Sequence, residues 1–178
     1  MVAGGVLQNP IPGHILGQHV YPQLPAGHVG ARPGAYMAAA DELHLTVHGK
    51  GGHAALPHLC RDAVLAASAI VVAAQQLVAR RSKPTEPVVC SFGFVEALGA
   101  TNVLPNEVHL KGTFRSLDPT VRADLHEALT TLIQDTASAH GCRAELEIRH
   151  GYPSVRNDEG LAHSFREVAE AYLGKERV

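Results

Sequence analysis

The sequence predicts an α+β fold of the ferredoxin-like class, in which a four-stranded antiparallel sheet carries two helices on one face in the order β-α-β-β-α-β. Three observations between residues 41 and 150 predict it. Four segments alternate apolar and polar residues as half-buried strands do, two carry apolar residues at helical spacing, and the six follow one another in that order. The 178 residues are enough for this sandwich and two flanking segments.

The first strand and the first helix are separated by a glycine-rich loop. Apolar and polar residues alternate from Asp41 to His48, which is the period of a half-buried strand. Within residues 60–81, apolar residues recur every three or four positions, at Ala63, Ala66, Ile70, Ala73 and Leu77. Asp62 near the start of this helix and Arg80-Arg81 near its end carry the charges that the helix dipole favours.

Two strands are predicted next. Residues 87–96 place four apolar residues on one face, namely Val88, Cys90, Phe92 and Phe94, and the opposite face is also fairly apolar. An edge strand of this kind tends to pair with another chain. Residues 106–115 alternate cleanly, with four residues predicted to point inward: Val108, Leu110, Gly112 and Phe114.

The second helix, the fourth strand and a last helix complete the pattern. Asp118-Pro119 is a typical helix start, and Gly141 suits the position just past a helix end. The apolar stripe of this helix is predicted to be Val121, Leu125, Leu129, Leu132 and Thr136. Residues 143–149 are predicted to form a strand. Residues 158–174 are predicted to form a helix whose apolar stripe is Leu161, Phe165, Val168 and Tyr172.

The composition excludes several functional classes. Hydrophobic residues make up 46% of the chain, charged residues 18%, and the formal net charge is −2. The chain therefore has no excess of positive charge with which to bind nucleic acid phosphates or an acidic membrane surface. Aromatic residues, at 4%, are too few for base-stacking platforms, which disfavours an RNA-binding ferredoxin-like domain. We therefore expect neither a nucleic acid partner nor a membrane partner.

Cysteine usage and the N-terminal residues bear on localisation. Cys60, Cys90 and Cys142 are odd in number and widely spaced, which excludes a disulfide framework and a cysteine-based zinc knuckle. The N-terminus lacks a basic signal-peptide region, and no apolar run reaches the roughly 18 uninterrupted residues of a membrane span. We therefore expect a soluble, cytoplasmic protein.

The 12 histidines are the outlier of the composition. Six of them are predicted to lie on solvated surfaces. Three fall on the polar face of predicted strands and three on predicted helix surfaces; these are His44, His48 and His109, then His126, His140 and His163. His19 and His53 lie outside these elements, in segments rich in glycine and proline.

Three short segments carry residues that packing does not require. The loop 49–55 would present His53 at the end of the sheet, because its glycines permit a tight turn. Asn102 lies in the connection between the second and third strands. Arg115 ends the third strand, where a guanidinium can hold a carboxylate through two hydrogen bonds. Taken singly, each residue also fits a turn or a solvated surface.

Together with four other segments, these blocks resemble the metallo-amidohydrolases of peptidase family M20. The branch most similar contains hippurate hydrolases, N-acyl-amino-acid amidohydrolases and indole-acetyl-amino-acid hydrolases. The blocks follow in the family's order, at 17–22 (GQHVYP), 24–27 (LPAG), 37–41 (MAAAD), 49–55 (GKGGHAA), 102–105 (NVLP), 112–115 (GTFR) and 151–153 (GYP). The resemblance extends over essentially the whole chain.

The resemblance implies a division of the chain and a role for several residues. Residues 41–150 would be the lid that dimerises, 1–40 a remnant of the first half of an α/β catalytic domain, and 151–178 the start of the return to it. His53 matches the lid histidine that supports the oxyanion in the partner subunit's active site. Asn102 and Arg115 match residues that hold the carboxylate end of an N-acyl amino acid.

The resemblance also implies a zinc ion, or another divalent metal, in the complete enzyme. His19 matches a metal-ligand histidine of the family. The family's Cys-Gly-His-Asp block, its Glu-Glu pair and its late histidine ligand have no counterpart in this sequence. Since a zinc site needs about four ligands, we expect no tightly bound metal and no hydrolysis by this chain alone.

Two readings of function remain open from the sequence. In the first, the chain is the lid and dimerisation portion of a zinc-dependent amidohydrolase that cleaves N-acyl amino acids or small peptides. In the second, it is a stand-alone, non-catalytic homodimerisation module. Both readings predict a homodimer.

Overall fold

The computed structural model describes residues 2–178 and confirms the ferredoxin-like α+β fold. The chain forms two compact units, one of the residues up to Gly34 together with Arg156–Val178, the other of Ala35–Val155. The strands are β1 (Gly34–Met37), β2 (Asp41–His48), β3 (Gly52–His53), β4 (Val88–Glu96), β5 (Val103–Leu104), β6 (Glu107–Ser116), β7 (Arg143–Arg149) and β8 (Val155–Asn157). The helices are α1 (Ala63–Arg81), α2 (Pro119–Ala139) and α3 (Glu159–Leu173).

The main sheet has the strand order β4-β6-β2-β7, and every neighbouring pair is antiparallel. In the centre, Leu45 of β2 lies between Leu110 of β6 and Leu146 of β7. Residues directly opposite one another share a face, so the alternation predicted for each strand assembles one continuous apolar surface. The two helices cover that surface.

Helix α1 forms because its apolar residues lie along one stripe and because its start is capped. The Asp62 carboxylate accepts hydrogen bonds from the Val64 and Leu65 N–H groups, at 2.9 and 3.0 Å. The buried residues of the helix are Ala63, Ala66, Ala67, Ile70, Ala74 and Leu77. By length and composition alone α1 could cross a membrane, but this stripe packs on the sheet, as in the core helix of a globular domain.

Helix α2 packs beside α1 on the same face of the sheet. It begins as predicted, with the Asp118 carboxylate accepting from the Thr120 and Val121 N–H groups. It ends before Gly141, which adopts a left-handed φ of +68°. The buried stripe is Leu125, His126, Ala128, Leu129, Ile133 and Ala137, so His126, predicted on a helix surface, is instead buried.

A β-bulge in β4 overturns part of the predicted pattern. Cys90 points inward as expected, and burial raises the pKa of its thiol to about 11. The register shifts between Phe92 and Phe94, because one extra residue is inserted there. Phe94 therefore leaves the core face and is exposed, with the Lys111 ammonium 5.1 Å from its ring centroid.

Helix α3 belongs to the other unit and has only a small buried face. Its start is capped by Asp158, whose carboxylate accepts from the Leu161 N–H. Ala162 and Ala169 are its buried residues, whereas the exposed fractions of Val168 and Tyr172 are 70% and 88%. The stripe predicted from hydrophobicity therefore does not match the buried face of this helix.

Candidate functional site

The structure brings the segments of His53 and Asn102 together at one end of the sheet. Strand β3 follows β2 through the glycine-rich loop, and β5 precedes β6. The two short strands pair, with His53 opposite Val103 and Gly52 opposite Leu104. The Ala54 N–H donates to the Asn102 carbonyl at 3.0 Å. A small hairpin-like extension of the sheet thus carries both residues.

Close packing, and not an unusual turn, explains the glycines of this loop. None of Gly49, Gly51 and Gly52 has a positive φ. A Cβ on Gly51 would overlap the carbonyl oxygen of Leu104, and a Cβ on Gly49 would overlap that of Arg61. Glycine is therefore required because three backbone segments approach one another more closely than any side chain allows.

The His53 ring is exposed, and its protonation pattern is fixed by a neighbour. The Ala55 N–H donates to His53 Nδ1 at 3.3 Å. A backbone N–H can only donate, so Nδ1 is the acceptor and the neutral ring carries its proton on Nε2. His53 therefore offers a hydrogen-bond donor to solvent or to a ligand.

Arg115 lies at the opposite end of the sheet. It is the ninth residue of β6, next to the end of the strand, opposite Val89 of β4. Its side chain is exposed. Nine residue steps separate Arg115 from Asn106 at the His53 end, a length of about 30 Å in an extended strand. The sheet links the three predicted residues, but within one chain Arg115 is not beside His53 and Asn102.

A buried carboxylate that sequence reasoning did not single out lies at the Arg115 end. Asp41, the first residue of β2, is 1% exposed. Its two oxygens accept from the Arg122 guanidinium, with Nε at 2.7 Å, and from the Gly151 N–H at 3.0 Å. The carboxylate thus joins the start of β2, helix α2 and the segment that follows β7.

Two histidines surround this carboxylate. His126 Nε2 lies 3.2 Å from an Asp41 oxygen without the geometry of a hydrogen bond, and His150 Nδ1 lies 4.0 Å from the other oxygen. Burial opposes ionisation of Asp41, but the hydrogen bonds from Arg122 and Gly151 outweigh it and hold the pKa of the carboxyl below its usual range. Burial lowers the pKa of His126.

Asp41, His126 and His150 are the one group between residues 2 and 178 whose ligand atoms lie close enough together to hold a metal ion. Arg122 already occupies both oxygens of Asp41 with charge-assisted hydrogen bonds. A cation there would have to displace the guanidinium or face its positive charge. The arrangement therefore serves as a structural ion-pair network.

His19 lies in the unit formed by the two ends of the chain. Its ring is exposed, and Nδ1 lies 2.8 Å from the carbonyl oxygen of Val20. It is not part of any metal-binding group within the described residues. His19 alone cannot form a zinc site, which needs about four ligands, and its assignment as one of the ligands stays a prediction.

Exposed apolar residues lie along the free edge of the main sheet. Strand β4 has β6 on one side and no partner on the other among the described residues. Val89 and Val95 on this strand are exposed, as is Leu98 just after it. The adjacent helix α1 exposes Leu65 and Val72, the latter 73% exposed. An exposed apolar edge of this kind is typical of a surface that another chain covers.

Comparison with known proteins agrees with this organisation. A family model described as a peptidase dimerisation domain matches residues 39–141. A probable hydrolase of Synechocystis is 40% identical over 83% of this chain and 38% of its own length. The putative amidohydrolase YhaA of Bacillus subtilis is 36% identical over 100% of this chain and 44% of its own length. The chain thus spans less than half the length of these relatives.

Solved structures show the same similarity. A putative aminohydrolase from methicillin-resistant Staphylococcus aureus superposes with a TM-score of 0.84 at 30% identity, over 96% of this chain and 45% of that one. The YXEP protein of Bacillus subtilis is described as a dinuclear metal binding peptidase from the M20 family. It superposes with a TM-score of 0.64 at 26% identity, over 86% of this chain and 37% of that one.

Proposed function

The chain belongs to the M20 peptidase dimerisation family, and on that premise we propose that it is the lid and dimerisation portion of a metal-dependent amidohydrolase. The proposed substrates are N-acyl amino acids of the hippurate type or small peptides. Relatives named N-acetyldiaminopimelate deacetylase and N-acyl-L-amino acid amidohydrolase support this substrate class. Such substrates contain the amide to be cleaved and a free carboxylate.

One observation carries the proposal: His53 and Asn102 lie at one end of an antiparallel sheet, Arg115 at the other, and the edge strand β4 is free. If two copies pair antiparallel along β4, the partner's sheet runs in the opposite direction. The partner's His53 and Asn102 then come to the end that carries Arg115. A two-fold dimer would thus assemble from two chains a site that one chain does not contain.

The residue types suit the two ends of such a substrate. The Nε2–H of His53 can donate to the oxyanion that forms when the amide carbonyl is attacked. The Arg115 guanidinium can hold a carboxylate through two parallel hydrogen bonds, and the Asn102 amide can add a donor. These groups bind and orient the substrate.

We propose that the complete enzyme, of which this chain would be a part, binds a divalent metal. A structural relative is described as a dinuclear metal binding peptidase, which supports a divalent metal there. We propose zinc as that metal and His19 as one ligand. The described residues do not complete a site, so no catalytic step is assigned to a metal held by this chain, and the chain alone is expected to be inactive.

The dimer is tested by light scattering coupled to size-exclusion chromatography. We expect a homodimer at tens of micromolar, and we expect Val95→Lys to yield a monomer because it puts a charge on the free edge strand β4. Val168→Lys is the matched control, since Val168 is similarly exposed but lies on α3. A monomeric wild-type chain, or equal effects of the two variants, would contradict the proposed interface.

Lid function is tested in a chimera. Residues 41–150 of this chain, which include β7, replace the corresponding segment of YhaA. Release of amino acids from hippurate and N-acetyl amino acids is measured with and without chelator. Chelator-sensitive hydrolysis that His53→Ala abolishes supports a lid. A folded, dimeric and inactive chimera favours the stand-alone dimerisation module. Turnover by the 178-residue chain alone would contradict its expected inactivity.

A further inference from the structure

The side chain of Asn106 connects the two segments that carry His53 and Asn102. Its Oδ1 accepts the Gly51 N–H at 2.9 Å, and its own carbonyl accepts the Gly49 N–H at 2.8 Å. Asn106 lies between β5 and β6, so it binds the glycine-rich loop from the Asn102 side. One residue thus holds this loop at two positions.

The bond to Gly51 lies directly before the two-residue strand that contains His53. At Gly51 the backbone is packed so closely on Leu104 and Pro105 that a Cβ does not fit. The next hydrogen bonds along the chain are the pairing of β3 with β5 and the bond from Ala54 to Asn102. Strands of two residues are too short to be stable alone, so their alignment depends on such flanking bonds.

The alignment of β3 also sets the state of the His53 ring. The Ala55 N–H reaches Nδ1 only while residues 53–55 keep their turn, which the bond from the Leu56 N–H to the His53 carbonyl also closes, at 2.8 Å. Loss of this turn would free Nδ1 to take the proton. His53 would then no longer present a fixed Nε2–H donor.

We propose that Asn106 is a positioning residue for His53: by accepting the Gly51 N–H it fixes β3 against β5, and so holds His53 beside the Asn102 segment with its proton on Nε2. The inference rests on the proposed role of His53 as an oxyanion donor. It identifies Asn106 as the residue that orients the His53 donor. The bond requires an acceptor at this position and no particular charge.

The test compares two nearly isosteric variants of the 178-residue chain, Asn106→Asp, which keeps an acceptor oxygen, and Asn106→Leu, which removes it. Amide hydrogen exchange and the ¹⁵N signals of the His53 ring are recorded by NMR. In Asn106→Leu we expect the Gly51 and Ala54 amides to exchange about five-fold faster, the effect of losing one hydrogen bond of ordinary strength. The His53 signals should shift toward those of a free imidazole.

Asn106→Asp should match the wild type, and so should Asn157→Leu, the matched control, whose side chain bonds to the Arg32 carbonyl. Amides of β2 and β6 should exchange at wild-type rates in every variant. Unchanged Gly51 and Ala54 exchange in Asn106→Leu, equal damage by Asp and Leu, or faster exchange throughout the sheet would each overturn the proposal. None of these readouts requires dimerisation or hydrolysis, so failure of the proposed function would be seen separately.

Discussion

Replacement of Asp41 by asparagine is expected to be the most destabilising of the conservative changes considered for this chain. The Asp41 side chain is fully buried, and the Arg122 side chain is 16% exposed. Asparagine keeps an oxygen that can accept the Gly151 N–H. It loses the negative charge, so the guanidinium is left largely buried with no ionic partner.

The magnitude follows from the burial of the pair. Breaking a buried ion pair by removing one partner costs about 3–5 kcal/mol, because the remaining charge stays desolvated. Arg122 retains some access to water, so we expect the lower end, about 3 kcal/mol of the free energy of unfolding. That is a large part of the roughly 5–15 kcal/mol by which a domain of this kind is stable.

The measurement is urea denaturation followed by far-UV circular dichroism near neutral pH. Glu147→Gln is the matched control, because Glu147 makes the same two-bond contact with Arg149 on the exposed face of the sheet. Exposed ion pairs contribute little, so the control should unfold close to the wild type. Equal unfolding midpoints for Asp41→Asn and Glu147→Gln would refute the structural importance given to the Asp41 network.

Further predictions concern pH and backbone conformation. Stability should fall as pH drops below about 6.5, because burial lowers the pKa of His126 in the folded chain, so the unfolded chain takes up the proton more readily. The test is the urea midpoint measured across this pH range. It should fall less steeply in His126→Leu than in the wild type. The lowered pKa of Asp41 acts in the same direction at pH values below about 4, where the unfolded carboxyl is protonated first. Gly141→Ala should lower the thermal midpoint, since its φ is +68° and a Cβ would lie 2.7 Å from Arg61, whereas Gly93→Ala, with open space around it, should not.

The elements of the sandwich could be predicted because each has its own periodic signal. The strand β2 alternates over its whole length, and Asp62 and Asp118 cap α1 and α2 where the sequence places helix starts. Such local signals depend on neighbouring residues only. They predicted the fold class without any knowledge of tertiary contacts.

Several residues are buried or exposed contrary to the sequence pattern, because tertiary contacts decide their burial. His126 is buried because Asp41 and the Phe114 ring, at 4.7 Å between centroids, provide a polar and an aromatic neighbour. Phe94 is exposed because of a bulge that alternation alone does not indicate. Val168 and Tyr172 are apolar but exposed, so hydrophobicity overstated the buried face of α3.

The sequence by itself determined the order of the strands and helices, the glycine-rich loop, and the residues that resemble those of the M20 amidohydrolases. Only the tertiary structure decided that His53 and Asn102 share one end of the sheet while Arg115 lies at the other. It alone also revealed the Asp41 network and the bond from Asn106 to Gly51. The reason is physical: periodicity and capping arise between residues a few positions apart, whereas these arrangements join residues up to 110 positions apart, which only the pairing of strands brings together.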